Sequence, residues 1–295
     1  MFATDWLTPD LIRRLETLQL AVRWVRSGRA MGGRFPINRR GSSVEFADYS
    51  PYAPGDDIRA IDWNLYARLD RLFVKTYKEE IELAVEVLVD ATASMGLPTR
   101  QKFERAQQLA ICLGYVGLAK RHHVRFSWIA PGRIVSSRWF RQRGDLWSLV
   151  EAGSTARPAG QLNLAAWTQR AAAQLRMRGG QVLLITDGMV RPAEFFRAAH
   201  LLLMRHLELR VIQVLSQDEL QPGRAFRGGL LVDTETGATH QLGYSAEELA
   251  RAVAQHNEQL MRFCKRRGIP FARCLIEEPL DACLFQTLPA RGFLQ

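Results

Sequence analysis

The sequence predicts an α/β protein with a mostly parallel, Rossmann-like sheet, flanking helices and a small β-rich N-terminal element. Three observations carry this. Leu83-Ala-Val-Glu-Val-Leu-Val89 and Gln181–Thr186 are short, nearly continuous apolar runs, the pattern of strands buried on both faces. Segments of helical period follow them: Phe103, Ala106, Ala110, Leu113 and Gly117 share one face after the first, and Pro192–Leu207 reads as helix after the second. Both runs end in an acid, Asp90 and Asp187, that opens into small residues. Strands of this kind alternating with helices make a parallel, doubly wound sheet.

Taken in order, Thr8-Pro9 is a helix start, a hydroxyl cap followed by proline at the first helical position. Ile12, Leu15, Leu18, Val22 and Val25 continue it as an amphipathic stripe. Residues 26–51 are rich in Gly, Arg and Ser and read as loop with short extended pieces, while 52–80 mix turn signals with β-branched and aromatic residues. Beyond Leu83, further strands are expected at His123–Ile129, Ile134–Phe140, Leu209–Leu215 and Pro270–Ile276, and a further helix at Asn163–Met177. Leu230–Leu242 reads as a hairpin turning near Gly237. Ser245 and Glu248 form a capping box, with Tyr244 and Leu249 as its apolar staple, for a helix that Gly268 ends. The expected organisation is an N-terminal helix in 1–32, the β-rich element in 33–80, the α/β core in 81–217, and a hairpin, helix and strand in 218–295 packed on that core.

Composition narrows the function classes. The chain of 295 residues is 47% hydrophobic and 24% charged, a balance that excludes a disordered or fibrous protein. No apolar run approaches the roughly 20 residues of a membrane helix, and the N-terminus lacks a signal pattern, so a cytoplasmic location is expected. The net charge of +10 raises nucleic acid as a partner. However, only five of the 40 basic residues are Lys and the arginines are scattered rather than grouped, so nucleic acid is not the expected partner. Cys112, Cys264, Cys274 and Cys283 are widely spaced within apolar patterns and read as buried thiols, not a zinc site.

Chemistry concentrates at Asp90-Ala-Thr92-Ala-Ser94, where a buried strand gives way to a loop and helix. Ligands of open α/β sheets bind at the carboxyl ends of the strands. An acid and two hydroxyls at alternate positions turn three oxygens toward one point, the donor type that Mg²⁺ takes. Asp187, in Thr186-Asp187-Gly188, ends a second strand and can reach the same crevice. The same residues also suit a helix cap that needs no metal.

This D-x-T-x-S loop with its T-D-G partner resembles the metal-ion-dependent adhesion site of von Willebrand factor A domains. The resemblance implies Asp90, Thr92, Ser94 and Asp187 as metal residues, Mg²⁺ as cofactor, and a partner's carboxylate completing the shell. One position departs from it. Pro158-Ala-Gly-Gln-Leu162-Asn-Leu-Ala is similar to the family's second loop, but Leu162 stands where its threonine belongs, and Thr155 is out of register.

A second constellation runs through Glu45-Phe-Ala-Asp-Tyr49, Pro54-Gly-Asp56-Asp57-Ile-Arg59, Ile61-Asp62-Trp63, Tyr66-Ala-Arg68 and Phe73-Val-Lys75. With the Asp90 loop it closely resembles the signature of a MoxR-associated family of unknown function with a von Willebrand A-like core. Leu7-Thr-Pro9, Val232–Gly237 and Phe263–Gly268 are similar to its short branch, whose longer relatives carry transmembrane helices. The dense charges of Asp56, Asp57, Arg59, Asp62 and Arg68, with Trp63, read either as an ion-pair network that fixes the β element or as a partner-binding surface. The resemblance implies a non-enzymatic adaptor working with a MoxR-type AAA+ ATPase in the maturation of protein complexes. The alternatives are a metal-dependent phosphoryl hydrolase, which needs another acid at a strand end, and a basic nucleic-acid-binding protein. His122-His123 reads as a helix C-terminus, and the seven tryptophans as core or interface residues.

Overall fold

Thr8 caps the first helix as the sequence predicts: its hydroxyl accepts the Leu11 N–H at 3.2 Å, and α1 (Pro9–Thr17) buries Leu11 and Leu15. The predicted stripe overruns, because Leu18 leaves helical backbone (φ −82°, ψ 159°). The chain turns extended and pairs with the C-terminus, through a Leu20–Leu294 bridge and the Ala21 N–H donating to the Phe293 carbonyl at 2.9 Å. Leu18 and Leu20 are thus apolar for a sheet-like contact and not for a longer helix.

The computed structural model describes residues 4–22, 45–55, 58–78, 83–130, 133–160, 180–222, 230–232, 239–241 and 246–295. The chain divides into two compact units, Gly32–Glu82 and a larger one of Met1–Met31 with Leu83–Gln295. In the small unit, β1 (Glu45–Pro51) runs antiparallel to a later strand, β2 (Phe73–Lys78), with an irregularity between Phe46 and Asp48. Between them lies a helix the sequence reading missed, α2 (Trp63–Leu69). Asp62 caps it, accepting the Asn64 and Leu65 N–H groups at 2.9 and 3.1 Å, and also accepts the Tyr49 hydroxyl at 3.0 Å.

The larger unit holds the expected mostly parallel α/β sheet. Its chain order is β3 (Ala84–Asp90), α3 (Arg100–Ala119), β4 (His123–Ala130), β5 (Arg133–Ser136), α4 (Leu146–Thr155), β6 (Gly180–Thr186), α5 (Pro192–Met204), β7 (Glu208–Leu215) and the single turn α6 (Gln217–Leu220). The short pair β8 (Leu230–Val232) and β9 (Thr239–Gln241), α7 (Ala246–Arg267) and β10 (Phe271–Leu275) complete it. Six strands form one sheet in the order β10-β7-β6-β3-β4-β5, parallel throughout except for β5. This is the expected α/β class: a mostly parallel sheet with flanking helices and one short antiparallel edge strand.

Both faces of the sheet are covered. Val85, Val87 and Val89 pack on one side with α1, α3 and α4, while Ala84 and Leu88 pack on the other with Phe195, Ala199 and Leu202 of α5 and Leu260 and Cys264 of α7. Helix α3 is buried almost all round, which makes its glycines packing residues. A Cβ on Gly117 would come within 2.8 Å of Val124 Cγ2 on β4.

Several expectations are corrected, while the buried thiols are as expected. The strand predicted at Ile134–Phe140 stops at Ser136, and Phe140 returns only in a single bridge to Val124. Helix α4 and the helical turns over 280–290 were not anticipated. His122 and His123 lie past the end of α3, after Arg121 has turned left-handed (φ 59°). Trp63 and Trp147 are exposed, while Trp6, Trp128 and Trp139 pack against the core. All four cysteines are buried and free. The predicted helix 163–177, the turn near Gly237 and the capping residues Tyr244 and Ser245 lie outside the described residues.

Close packing at Gly117 sets the first prediction. Gly117→Val should lower stability by about 1–3 kcal/mol through overpacking against a stiff strand residue. Gly144→Ala, where a Cβ meets nothing within 4 Å, should stay within about 0.5 kcal/mol. Urea midpoints of the two variants check this, and equal midpoints would refute it.

Candidate functional site

Strands β3, β6 and β7 are parallel neighbours, so their carboxyl ends open at one edge of the sheet. Asp90 is the last residue of β3 and Thr186 the last of β6, and both are buried. The Asp90 carboxylate accepts the Thr92 N–H at 3.0 Å with one oxygen and the Thr186 hydroxyl at 2.7 Å with the other. Thr186 Oγ1 in turn accepts the Gly188 N–H at 2.9 Å, so one hydroxyl ties two strand-end loops together. Thr92 Oγ1 and Ser94 Oγ are hydrogen-bonded at 3.0 Å. The chain after α4 lies against this loop: the Ala159 N–H donates to the Ala91 carbonyl at 2.8 Å and the Ala93 N–H to the Gly160 carbonyl at 3.0 Å. Leu162 lies outside the described residues. Thr155 turns its hydroxyl back to the Ala152 carbonyl on its own helix, 2.7 Å away.

Asp187 is engaged by groups that sequence reading did not find. Its Oδ1 accepts the Met189 N–H at 2.9 Å, and its Oδ2 takes the Lys102 ammonium at 3.0 Å. Lys102, in the first turn of α3, is wholly buried and also donates to Glu219 Oε1 at 2.7 Å. Glu219 sits on α6, directly after β7, where its other oxygen accepts the Ser216 N–H in a capping box. Glu219 is thus a further acid at a strand end, overlooked although Ser216-Gln-Asp-Glu219 is a legible box. Lys102 was legible too: it shares a helical face with Ala106, Leu109 and Leu113, all fully buried. From the other side, Gln213 donates to the Asp187 carbonyl at 2.9 Å and to Asn257 Oδ1 at 2.7 Å, and His256 donates to the Gly188 carbonyl at 2.8 Å. Helix α7 therefore grips the Asp187 loop.

The residues of the second constellation belong to the small unit. Asp62 is the buried cap of α2; Trp63 opens that helix with its ring edge-on to Tyr66 at 6.2 Å; Arg59 and Arg68 occupy exposed positions. Asp56 and Asp57 lie outside the described residues.

The family described as "Protein of unknown function DUF58" matches residues 48–261. The chain belongs to this family. An uncharacterized protein of Mycobacterium tuberculosis and one of Mycobacterium bovis are each 26% identical over 92% of this chain and 86% of their own length. Among solved structures, the conserved hypothetical protein BatB from Bacteroides thetaiotaomicron is similar at 15% identity, covering 71% of this chain and 98% of its own, with a TM-score of 0.43. A von Willebrand factor type A protein from Catenulispora acidiphila is similar at 12% identity, covering 75% and 43%, also with a TM-score of 0.43. Among the described residues, no helix is long and apolar enough to cross a membrane.

The described residues of this DUF58 chain do not complete the Mg²⁺ ligand set that the sequence resemblance implies. Thr92 and Ser94 offer adjacent hydroxyls, but the Asp187 carboxylate already has a buried ammonium as its counter-charge. Among the described residues, no three His, Cys, Asp or Glu side chains gather as a metal cluster.

Burial and the nearby Asp187 charge push the Asp90 carboxyl up to about 6, against the weaker pull of its Thr186 and Thr92 hydrogen bonds. An acid whose pKa is raised by folding is bound more tightly by protons in the native state, so its contribution to stability falls as pH rises from 3.8 to about 6. Asp90→Asn, which keeps the shape without the charge, should therefore gain in Tm over wild type at pH 7.5. The gap should close toward pH 4. Thermal melts of both proteins across that range in chelator check this, and a gap that widens on acidification would overturn it.

Proposed function

We propose that this DUF58 protein is a non-enzymatic interaction module, an adaptor that presents the strand-end crevice to protein partners and works beside a MoxR-type AAA+ ATPase in the maturation of protein complexes. Its place of action in this reading is the cytoplasm. The observation that supports it best is how the polar groups of the crevice are used. Asp90, Asp187 and Glu219 are each held by backbone N–H groups, and also by a threonine hydroxyl or the lysine. The hydroxyls of Thr92 and Ser94 bond to each other. Such an arrangement fixes the shape of loops, as recognition requires, and spends its acids on structure; a phosphoryl hydrolase would need them free for substrate. The resemblance of the Gly55-Asp-Asp-Ile-Arg59-Ala-Ile-Asp-Trp63 string to the signature of a MoxR-associated family supports the choice of partner. The reading requires no Mg²⁺ in the crevice.

The test is affinity capture of the tagged full chain from its native lysate, read by mass spectrometry, beside a Ser94→Arg variant that plugs the crevice mouth. A MoxR-type ATPase should be recovered with wild type and fall at least about tenfold with the variant, which corresponds to losing roughly 1.4 kcal/mol of binding. The variant's melting curve should match wild type. Equal recovery by both would remove the crevice from the interaction, and recovery of no such ATPase would remove the partner.

A further inference from the structure

Helix α3 directly follows the Asp90 loop, and its third residue is a lysine with no exposed surface. The Lys102 ammonium reaches past its own helix to acids on two other strand ends: Asp187, after β6, at 3.0 Å, and Glu219, after β7, at 2.7 Å. The side chains of Lys102 and Asp187 are each only 1% exposed, so neither charge has water to fall back on. A buried charge is tolerated only when paired and hydrogen-bonded. Both acids satisfy their remaining needs from backbone, Asp187 from the Met189 N–H and Glu219 from the Ser216 N–H. The result is one positive centre that joins three strand ends, with α3 supplying it covalently. A divalent cation bound by oxygen ligands from several loops would do the same mechanical work, but exchangeably.

We propose that Lys102 is the built-in cation of this crevice: its ammonium takes the charge of Asp187 and Glu219, so that the loops hold their binding shape with no divalent metal. Lys102 is in these terms a positioning residue. It acts on partners through the Asp187 loop and α6. The proposal rests on the adaptor reading only for what the crevice binds; the charge replacement itself is tested without any partner. One consequence is that divalent cations do not switch recognition on or off. Another is that removing the ammonium leaves buried Asp187 and half-buried Glu219 without their shared counter-charge, which converts the crevice into a site that attracts a divalent cation.

Mn²⁺ titration and thermal melting of the full chain test this. Wild type should bind no Mn²⁺ in the millimolar range, and its melting temperature should be the same in Mg²⁺ and in EDTA. Lys102→Gln should melt lower in EDTA, gain Mn²⁺ binding at least tenfold tighter than wild type, and recover part of the lost melting temperature in Mg²⁺. A purely structural lysine would give the loss without the metal rescue. Wild type that binds Mn²⁺ tightly, or a Lys102→Gln protein as indifferent to cations as wild type, would overturn the proposal. Should Lys102→Gln fail to fold, the double variant Lys102→Gln/Glu219→Gln has one acid fewer and decides the matter: stabilisation by Mg²⁺ upholds the proposal, and indifference refutes it. None of these readouts involves the ATPase, so a failed capture and a failed charge replacement are separate results.

Discussion

The larger unit depends on one constraint, the complete burial of β3 at the centre of the sheet. All seven of its residues are buried, with β6 hydrogen-bonded on one side and β4 on the other. A strand in that position needs apolar cover on both faces, and this is why valines at 85, 87 and 89 meet α3 and α4 while Ala84 and Leu88 meet α5. It also means that whatever polar group β3 carries must be satisfied inside the protein. Glu86 is answered by Arg125 and by Ser127 on the adjoining strand. Asp90, at the strand's end, is answered by neutral donors among the partners given above, and burial with the nearby Asp187 charge raises its pKa against their pull.

The arginine excess becomes understandable from the same interior. Arg210 is fully buried and reaches the carbonyls of Ala21 and Gly292 as well as Glu208. Arg105 gathers the carbonyls of Leu275, Ile276 and Glu278, which pins the C-terminal segment to α3. A guanidinium with five donors in a fixed fork suits such multi-carbonyl stapling better than an ammonium does. Part of the positive balance is therefore spent on holding terminal segments, and a count of basic residues overstates the charge that faces a partner.

How much of this was legible follows from what each signal depends on. The core strands were read correctly because double burial writes itself into contiguous sequence, as at Leu83–Val89 and Gln181–Thr186. Cap chemistry at Thr8 was legible for the same local reason. The end of α1 was not, since Leu18 and Leu20 keep an apolar spacing that serves a helix or an edge contact equally, and only the returning C-terminus decides between them. Helix α2 was hidden by its composition: Trp63, Tyr66 and Leu69 suggest a strand, and the capping role of Asp62 was read as part of a charge cluster. At the crevice, Asp90, Thr92, Ser94 and Asp187 were visible as a motif. Lys102 and Glu219 each left a local sign, a buried helical face and a capping box, but their pairing was not legible, because it spans separations of 85 and 117 residues that no local pattern encodes.

That difference bears on how degenerate sites should be read. A ligand pattern with one position changed, here Leu162 for a threonine, suggests a weakened metal site when the motif is considered alone. The charge of the surroundings argues otherwise. A loop without a cation would leave buried Asp187 and half-buried Glu219 with no counter-charge, a state that folding disfavours. The chain instead places a fixed ammonium between them, on the one helix that the Asp90 loop leads into. Because that cation is covalent, the ordering entropy of bringing charge to the loops is met once, on folding, and not again at each encounter with a partner. In the proposed adaptor, a crevice organised this way is rigid before it binds, and its selectivity comes from the shape of the loops and the side chains at its mouth.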